Sequence, residues 1–399
     1  MSKNLDVVIV GAGPYGLSIA AHLNKTKLKY RIFGAPMETW LNHMPAGMKL
    51  KSDGFASNLY DPDSAFTLQQ YCAEKNLPYA DVGIPVPLET FVAYGLEFTR
   101  RMVPQLENAT VTAIRQTSGG FELETSKGET LQSRKIVMAV GITHYPYLPS
   151  FLSELPAQYV SHSFNHGDLS GFKDKKVVVI GAGASGVDLA ASLNRSGAGV
   201  SLLARRPTIA FHKPQKEPRP LLDRIAAPRS GLGPGWRSRL CTDAPLLFYL
   251  MPREFRLPVV RKHLGPAPGW FVRDEVIGRF PLHLGSKLRN AGVENGQVRI
   301  SFTNSDGADD ELTADHVIGA TGFRVSISKL KFVDEAVRKQ IKTVEDTPVL
   351  SRQFESSVPG MYMVGIASAN SFGPLTRFAY GAKFTAKRIS AHLERRCAQ

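Results

Sequence analysis

Asp6-Val-Val-Ile-Val10 runs directly into Gly11-Ala-Gly13-Pro14-Tyr15-Gly16, and a helix-like stretch from Leu17 to Asn24 follows. A short apolar run, a GxGxxG turn and a helix form one mechanical unit. The first glycine permits the tight turn, the second lets the backbone approach a pyrophosphate, and the third lets the helix pack on the strand. The phosphates then meet the N-terminus of the helix, where free N–H groups and the dipole favour negative charge. Tyr30-Arg-Ile-Phe33 reads as the next strand. The pattern returns 170 residues later: Lys176-Val-Val-Val-Ile180, then Gly181-Ala-Gly183-Ala184-Ser185-Gly186, helix through Leu189 to Leu193, and strand at Val200 to Leu203. A lone GxGxxG says little; two copies, each between a strand-like and a helix-like run, predict two nucleotide-binding units.

A second feature recurs with the turns. Lys135 to Gly141 and Asp315 to Gly322 are apolar runs ending in glycine. Alternating runs precede each, Val111 to Arg115 with Phe121 to Thr125, and Gln297 to Phe302 with Glu311 to Thr313, so each unit should carry a small antiparallel ribbon. The fold class expected is α/β, with two Rossmann-like dinucleotide-binding domains in a glutathione-reductase-like arrangement. Residues 1–160 and 325–399 form the first domain and 161–324 the second.

Composition sets outer bounds. At about 150 residues per domain, 399 residues make two or three. Forty-nine Lys and Arg against 35 Asp and Glu leave +14, which suits an anionic cofactor, substrate or surface. The three cysteines, at 72, 241 and 397, are too scattered for a disulfide framework, a cysteine zinc site or a CxxC centre. No metal is expected on the ten histidines. The first strand begins by Asp6, leaving no room for a signal peptide, and no run of 18 apolar residues spans a membrane. A reduced, cytoplasmic protein is expected. Residues 205–280 stand apart, with 15 Lys and Arg against 6 Asp and Glu, and 11 of the 26 prolines. That proline density argues against long helices or central strands. Trp236, Phe248, Tyr249, Phe255, Trp270 and Phe271 make the segment too apolar for a disordered linker. Residues 207–280 therefore read as an ordered excursion from the second unit, a lid or substrate surface.

The end of the second strand of each unit discriminates ligands. Twenty-one residues beyond the middle glycine stand Gly34 and Ala204. An acid there would hydrogen-bond a ribose 2′-OH. Ala204 is followed by Arg205 and Arg206, whose guanidinium groups suit a 2′-phosphate, so the second site should take NADPH. In the first unit Glu38 is the nearest acid for a ribose, with Trp40 close behind.

These residues resemble the class B flavoprotein monooxygenases: flavin-containing, Baeyer–Villiger and N-hydroxylating monooxygenases of ornithine and lysine. Four stretches carry the resemblance. One is the pair of glycine turns with Ser185 and Asp188. Another is His162-Ser163-Phe164 ahead of the second turn, similar to the fingerprint FxGxxxHxxx(Y/F), although Pro156 and Gln158 replace its Phe and Gly and His166 its last aromatic. A third is Ala320-Thr321-Gly322-Phe323, similar to an ATG link between domains. The last is Gly47 to Pro62 with Ser64, Phe66, Thr67 and Tyr71, similar to the segment of amine N-hydroxylases that runs along the flavin.

The resemblance implies FAD in the first site, on Gly11, Gly13, Pro14, Tyr15, Gly16, Glu38, Trp40, Gly141, Gly365, Asn370, Phe372, Gly373 and Leu375. It implies NADPH in the second, on Gly181, Gly183, Ala184, Ser185, Gly186, Arg205, Arg206, Thr321 and Gly322. Pro359 to Gly365 reads as a strand, and Phe372 to Arg377 as the opening of a helix with Pro374 near its start, facing the flavin. A basic helix is expected over Lys383 to Arg396. The implied activity is insertion of one oxygen atom of O2 into a small molecule through a C4a-(hydro)peroxyflavin, at nitrogen or sulfur rather than by Baeyer–Villiger chemistry. Lys51, Ser52 and Asn58 are the catalytic candidates. Two other readings stay open: an NADPH-dependent flavin reductase serving quinone or ferredoxin, and a redox-sensing nucleotide-binding protein. The basic excursion suggests an anionic substrate. No nucleic-acid-binding pattern is present, and neither the substrate nor an oligomeric state is encoded in a recognisable motif.

Overall fold

The computed structural model describes residues 5–214, 218–263, 265 and 267–397. Its first sheet runs in the order Tyr30–Phe33, Leu5–Val10, Thr130–Met138, Gly120–Thr125, Val111–Thr117. The nine-residue strand Thr130–Met138 serves two partners on one edge. Gly120–Thr125 lies antiparallel to its first half, and Met361–Met363 lies parallel to Ile136–Met138. Leu5–Val10 is parallel to both its neighbours. The second sheet, Val160–His162, His316–Gly319, Lys176–Ile180, Gly199–Ala204, Leu282–Leu284, is parallel throughout.

Strands covered on both faces read as unbroken apolar runs. Successive side chains point to opposite faces, so Val7 and Ile9 enter one core with Leu17, Phe91, Tyr94 and Leu393, while Val8 and Val10 enter another with Ile114, Leu123 and Met361. The second unit repeats the arrangement, Val177 and Val179 on one side and Val178 and Ile180 on the other. The α/β class with two parallel-sheet units is as expected from sequence. Each expected ribbon is also present, but each has a third strand. In the second unit that strand is Lys287–Glu294, which is largely exposed and too polar to advertise itself.

The C-terminal helix Ala382–Cys397 buries Ala386, Ile389 and Leu393 against the first core, with Lys383, Lys387, Arg395 and Arg396 exposed. That i, i+3, i+4 stripe is the ordinary solution for a surface helix. One expectation is corrected here. Pro374 opens only a 3-10 turn, Pro374–Arg377, not the long helix. Phe378 is extended (φ −117°, ψ 153°), and its carbonyl accepts a hydrogen bond from the Tyr15 hydroxyl at 2.8 Å. That tie interrupts the helix at Phe378, and a 3-10 turn, Ala379–Gly381, leads into the α-helix at Ala382.

Among its described residues the excursion holds four short α-helices, Leu221–Ala226, Trp236–Asp243, Pro245–Leu250 and Arg253–Lys262. Pro220 and Pro252 stand just before two of them and Pro245 opens a third, where a missing N–H costs nothing. Leu232, Cys241, Phe248 and Val260 pack on Ala369 and Leu375, so the excursion sits over the segment after Met361–Met363.

Candidate functional site

Both glycine turns are built alike. Gly13 and Gly183 are extended residues at the N-termini of helices Pro14–Leu23 and Ala184–Arg195, and neither helix has a side-chain cap. The first intrahelical bonds run from Leu17 N–H to Gly13 and from Val187 N–H to Gly183, each at 3.0 Å. The N–H groups of Tyr15 and Gly16, and of Ala184, Ser185 and Gly186, therefore precede the hydrogen-bonded ladder and point where an anion would sit. The glycines divide the labour as expected. Gly11 has φ +111°, and a Cβ on it would lie 2.4 Å from the Ala139 carbonyl oxygen. A Cβ on Gly16 would lie 1.9 Å from the Gly11 oxygen, but one on Gly13 would meet nothing within 4 Å. The open side of Gly13 is the space a pyrophosphate needs, so the residues present fit a dinucleotide. Gly181 and Gly186 repeat the tight contacts, at 2.5 Å to the Ala320 oxygen and 1.9 Å to the Gly181 oxygen. Gly141 and Gly322 follow the adjacent strands with φ +57° and +84° and open space beside them.

Gly34 explains the missing acid. Its φ is +144°, and a Cβ there would lie 2.9 Å from the Ala12 nitrogen. The backbone crosses the glycine turn too closely for a glutamate at this position. Glu38 begins the short helix Glu38–Asn42, 3.8 Å from His43, while Trp40 packs edge-on to Phe91 at 4.9 Å. Arg205 and Arg206 are exposed just past the strand end at Ala204, free to reach outward.

The segment after Met361–Met363 is enclosed. Tyr15 lies against Gly365 and Gly381, and burial drives its phenol well above the usual range. Phe372 is fully buried, stacked on Phe354 at 4.1 Å and on Tyr249 of the excursion at 5.5 Å. Phe248 closes over Gly373, within 3.1 Å of where its Cβ would be. Arg256 Nη1 donates to the carbonyls of Asn370 (3.0 Å) and Ser371 (3.3 Å), and Arg377 Nη1 donates to Val260 O at 2.6 Å.

The stretch from Gly47 to Pro62 touches the second unit. Lys51 Nζ forms an ion pair with Asp188 on helix Ala184–Arg195. Burial pushes the Asp188 carboxyl up, against the pull of Lys51. Ser52 Oγ is 2.7 Å from Ser57 Oγ. Asn58 donates to Phe55 O at 3.0 Å and accepts from Leu68 N–H at 2.7 Å, so both ends of its amide staple the loop. The sequence reading names Asp188 without giving it a partner; an acid inside the apolar run Val-Asp-Leu-Ala is the signal that it needs one.

His162 ties the strand edge to the link between units. Its Nε2–H donates to Gly322 O (2.9 Å), and its Nδ1 accepts from Phe164 N–H (3.1 Å). Burial lowers its pKa, favouring the neutral form that this pair of bonds requires. Thr321 Oγ1 donates to Tyr147 O in the same link. A cavity of about 400 Å³ opens on the second unit, lined by Asp168, Lys173, Ser192 and Arg195 with Ala46 at its border; none of the candidate residues lines it.

Residues 8–223 match the model of a family described as "Pyridine nucleotide-disulphide oxidoreductase". The chain belongs to that family. Membership bears out the expected oxidoreductase that uses a pyridine nucleotide. Among curated proteins, the indole-3-pyruvate monooxygenase YUCCA1 of Oryza sativa subsp. japonica is 29% identical over 208 residues, 50% of this chain and 47% of that one. A ferredoxin–NADP reductase of Streptococcus sanguinis (strain SK36) is 30% identical over 217 residues, 52% and 56%. The chain spans about half the length of the curated relatives it matches. Among solved structures, the ornithine N-hydroxylase of Kutzneria sp. 744, in complex with reduced FAD, NADP+ and L-ornithine, aligns over 99% of this chain and 100% of its own, with TM-score 0.75 and 19% identity. That likeness is one of fold, and it is the fold the sequence resemblance implies. Despite the family's description, no dithiol is at hand: Cys72, Cys241 and Cys397 are all free and lie on three separate helices.

Proposed function

We propose that the chain is an FAD-containing, NADPH-dependent monooxygenase that inserts one oxygen atom into a small molecule, at nitrogen or sulfur rather than by Baeyer–Villiger chemistry. FAD and NADPH, when bound, supply the hydride and oxygen chemistry. The rest falls to the chain. Residues 1–160 and 325–399 hold FAD, with its pyrophosphate against Gly13 and the N–H groups of Tyr15 and Gly16. Residues 161–324 hold NADPH, with its 2′-phosphate on Arg205 and Arg206. Lys51 and Asp188 fix the flavin-side stretch against the nicotinamide side.

One observation carries the oxygenase reading: the excursion buries the segment Ala369–Arg377 under Phe248, Tyr249 and Arg256. An oxygenating site must exclude water, whereas a reductase for a protein acceptor needs an open flavin edge. The likeness to a ferredoxin–NADP reductase favours the second reading, electron transfer to an outside acceptor without oxygen insertion.

Turnover with NADPH under oxygen-18 gas, offering primary amines and thioethers, separates the two. The expected product carries one labelled oxygen. Rapid reduction of quinone or ferredoxin with no labelled product would overturn the proposal. The 2′-phosphate assignment has its own check. Charge-assisted bonds contribute about 1.5–3 kcal/mol each, so Arg205→Ala with Arg206→Ala should raise KM for NADPH about tenfold or more. KM for NADH should stay unchanged; an unchanged KM for NADPH refutes the assignment.

A further inference from the structure

The excursion has two apolar faces, and only one is used. Its inner face packs on Ala369 and Leu375. Its outer face bears Leu221, Leu222, Ile225, Trp236, Leu240, Leu247, Leu250 and Phe255, half of the sixteen exposed large apolar side chains among the described residues, within 35 positions. Leu222 is 80% exposed, Leu221 68% and Leu250 60%. All six residues of helix Leu221–Ala226 are exposed. The helices are linked side to side. Trp236 Nε1 donates to Ile225 O at 3.0 Å, Ala244 joins Trp236–Asp243 to Pro245–Leu250, and Phe248 meets Phe255 at 6.5 Å.

Charge is interleaved with these groups. Residues 219–262 hold nine Lys and Arg against three Asp and Glu. Arg224 lies within one turn of Leu222, Arg237 and Arg239 flank Trp236 and Leu240, and Arg253 precedes Phe255. Arg224, Arg237 and Lys262 have no acidic partner among the described residues.

We propose that this outer face docks on an anionic lipid bilayer. Leucine, tryptophan and phenylalanine tips enter the boundary between headgroups and acyl chains, and the arginines bind the headgroup phosphates. Tryptophan and snorkelling basic chains are the groups that such a boundary accommodates. A second copy of this chain is the poorer occupant. The core of a protein interface is depleted of charge, and a second copy would bring the same positive excess against this one.

The test uses purified, flavin-loaded protein and needs no substrate. Vesicles of phosphatidylcholine alone are compared with vesicles carrying roughly one phosphatidylglycerol to three phosphatidylcholine. The protein should sediment with the mixed vesicles and not with the neutral ones, and high salt should release it. At about 1 kcal/mol for each basic group near the surface, Arg224→Ser with Arg237→Ser should weaken binding about tenfold or more. Leu222→Ser with Trp236→Ser should weaken it about tenfold as well, through lost apolar burial. Flavin content and circular dichroism identify any variant that misfolds, and the arginine pair then stands as the second probe. Equal binding to both vesicle types overturns the proposal, as does parental binding by both variants. So does a solution dimer that Leu222→Ser dissociates, or capture by soluble polyglutamate as tight as by vesicles.

Discussion

Gly13 and Gly16 stand three residues apart and answer to opposite demands. A methyl group on Gly16 collides with the Gly11 oxygen, inside the strand–helix contact, whereas one on Gly13 enters open space at φ −85°, a conformation any residue adopts. Gly16→Ala should therefore destabilise the apoprotein by about 3 kcal/mol, as overpacking does. Gly13→Ala should cost no more than about 1 kcal/mol, the loss of a glycine N-cap, yet abolish copurification of flavin, because its methyl group occupies the phosphate space. Thermal unfolding of the apoprotein and the flavin-to-protein ratio check the two halves separately. These glycines are legible in sequence because the turn is local, with every partner within six residues or on the adjoining strand. Gly34 is legible only as an exception. Spacing predicts an acid where the backbone passes beneath Ala12, and that crossing is visible only once the strands are assembled.

At the scale of elements, legibility follows the same logic. Lys176–Ile180 is read to the residue because buried parallel strands are continuous apolar runs, and the edge strand Tyr30–Phe33 because β-branched and aromatic residues cluster in it. The helix expected to open at Phe372 to Arg377 is cut to one turn, because a distant hydroxyl, that of Tyr15, holds Phe378 extended, while the basic helix expected over Lys383 to Arg396 is found at Ala382–Cys397. In the excursion the prolines rightly exclude long helices, but they start the short ones and do not merely break them. Its attachment rests on Arg256, whose two bonds reach carbonyls 114 and 115 residues away. Arg256→Ala should cost about 1–2 kcal/mol, and the loss should fall on the excursion first. Chymotryptic cleavage between residues 219 and 262 should accelerate well before the global unfolding midpoint moves. A cleavage rate equal to the parent's would show that the apolar face and the Arg377 bond to Val260 O suffice to hold the excursion.

Across the whole molecule, Lys51 and Asp188 join the two units through a carboxylate only 6% exposed. Removing the cation strands a buried charge, so Lys51→Met should destabilise by about 2–4 kcal/mol near pH 8. The sign of its pH dependence follows from the raised pKa of Asp188. A carboxyl harder to ionise in the folded protein than in the unfolded chain favours folding when protonated, and that advantage disappears as pH rises through the folded value. The penalty of the variant should therefore shrink toward pH 5. Urea titrations at the two pH values test this, and a penalty that ignores pH would mean that Lys51 contributes packing rather than charge. Nothing in the sequence pairs these residues, since they lie 137 positions apart and meet only when the units dock.

The strand Thr130–Met138 waits until Met361–Met363 is synthesised before the second half of its shared edge is filled. Every strand of the other parallel sheet lies between 160 and 319. During translation, the later-starting half is thus able to seal while the earlier one still exposes the flank of Ile136 to Met138, so assembly finishes at the end that was begun first.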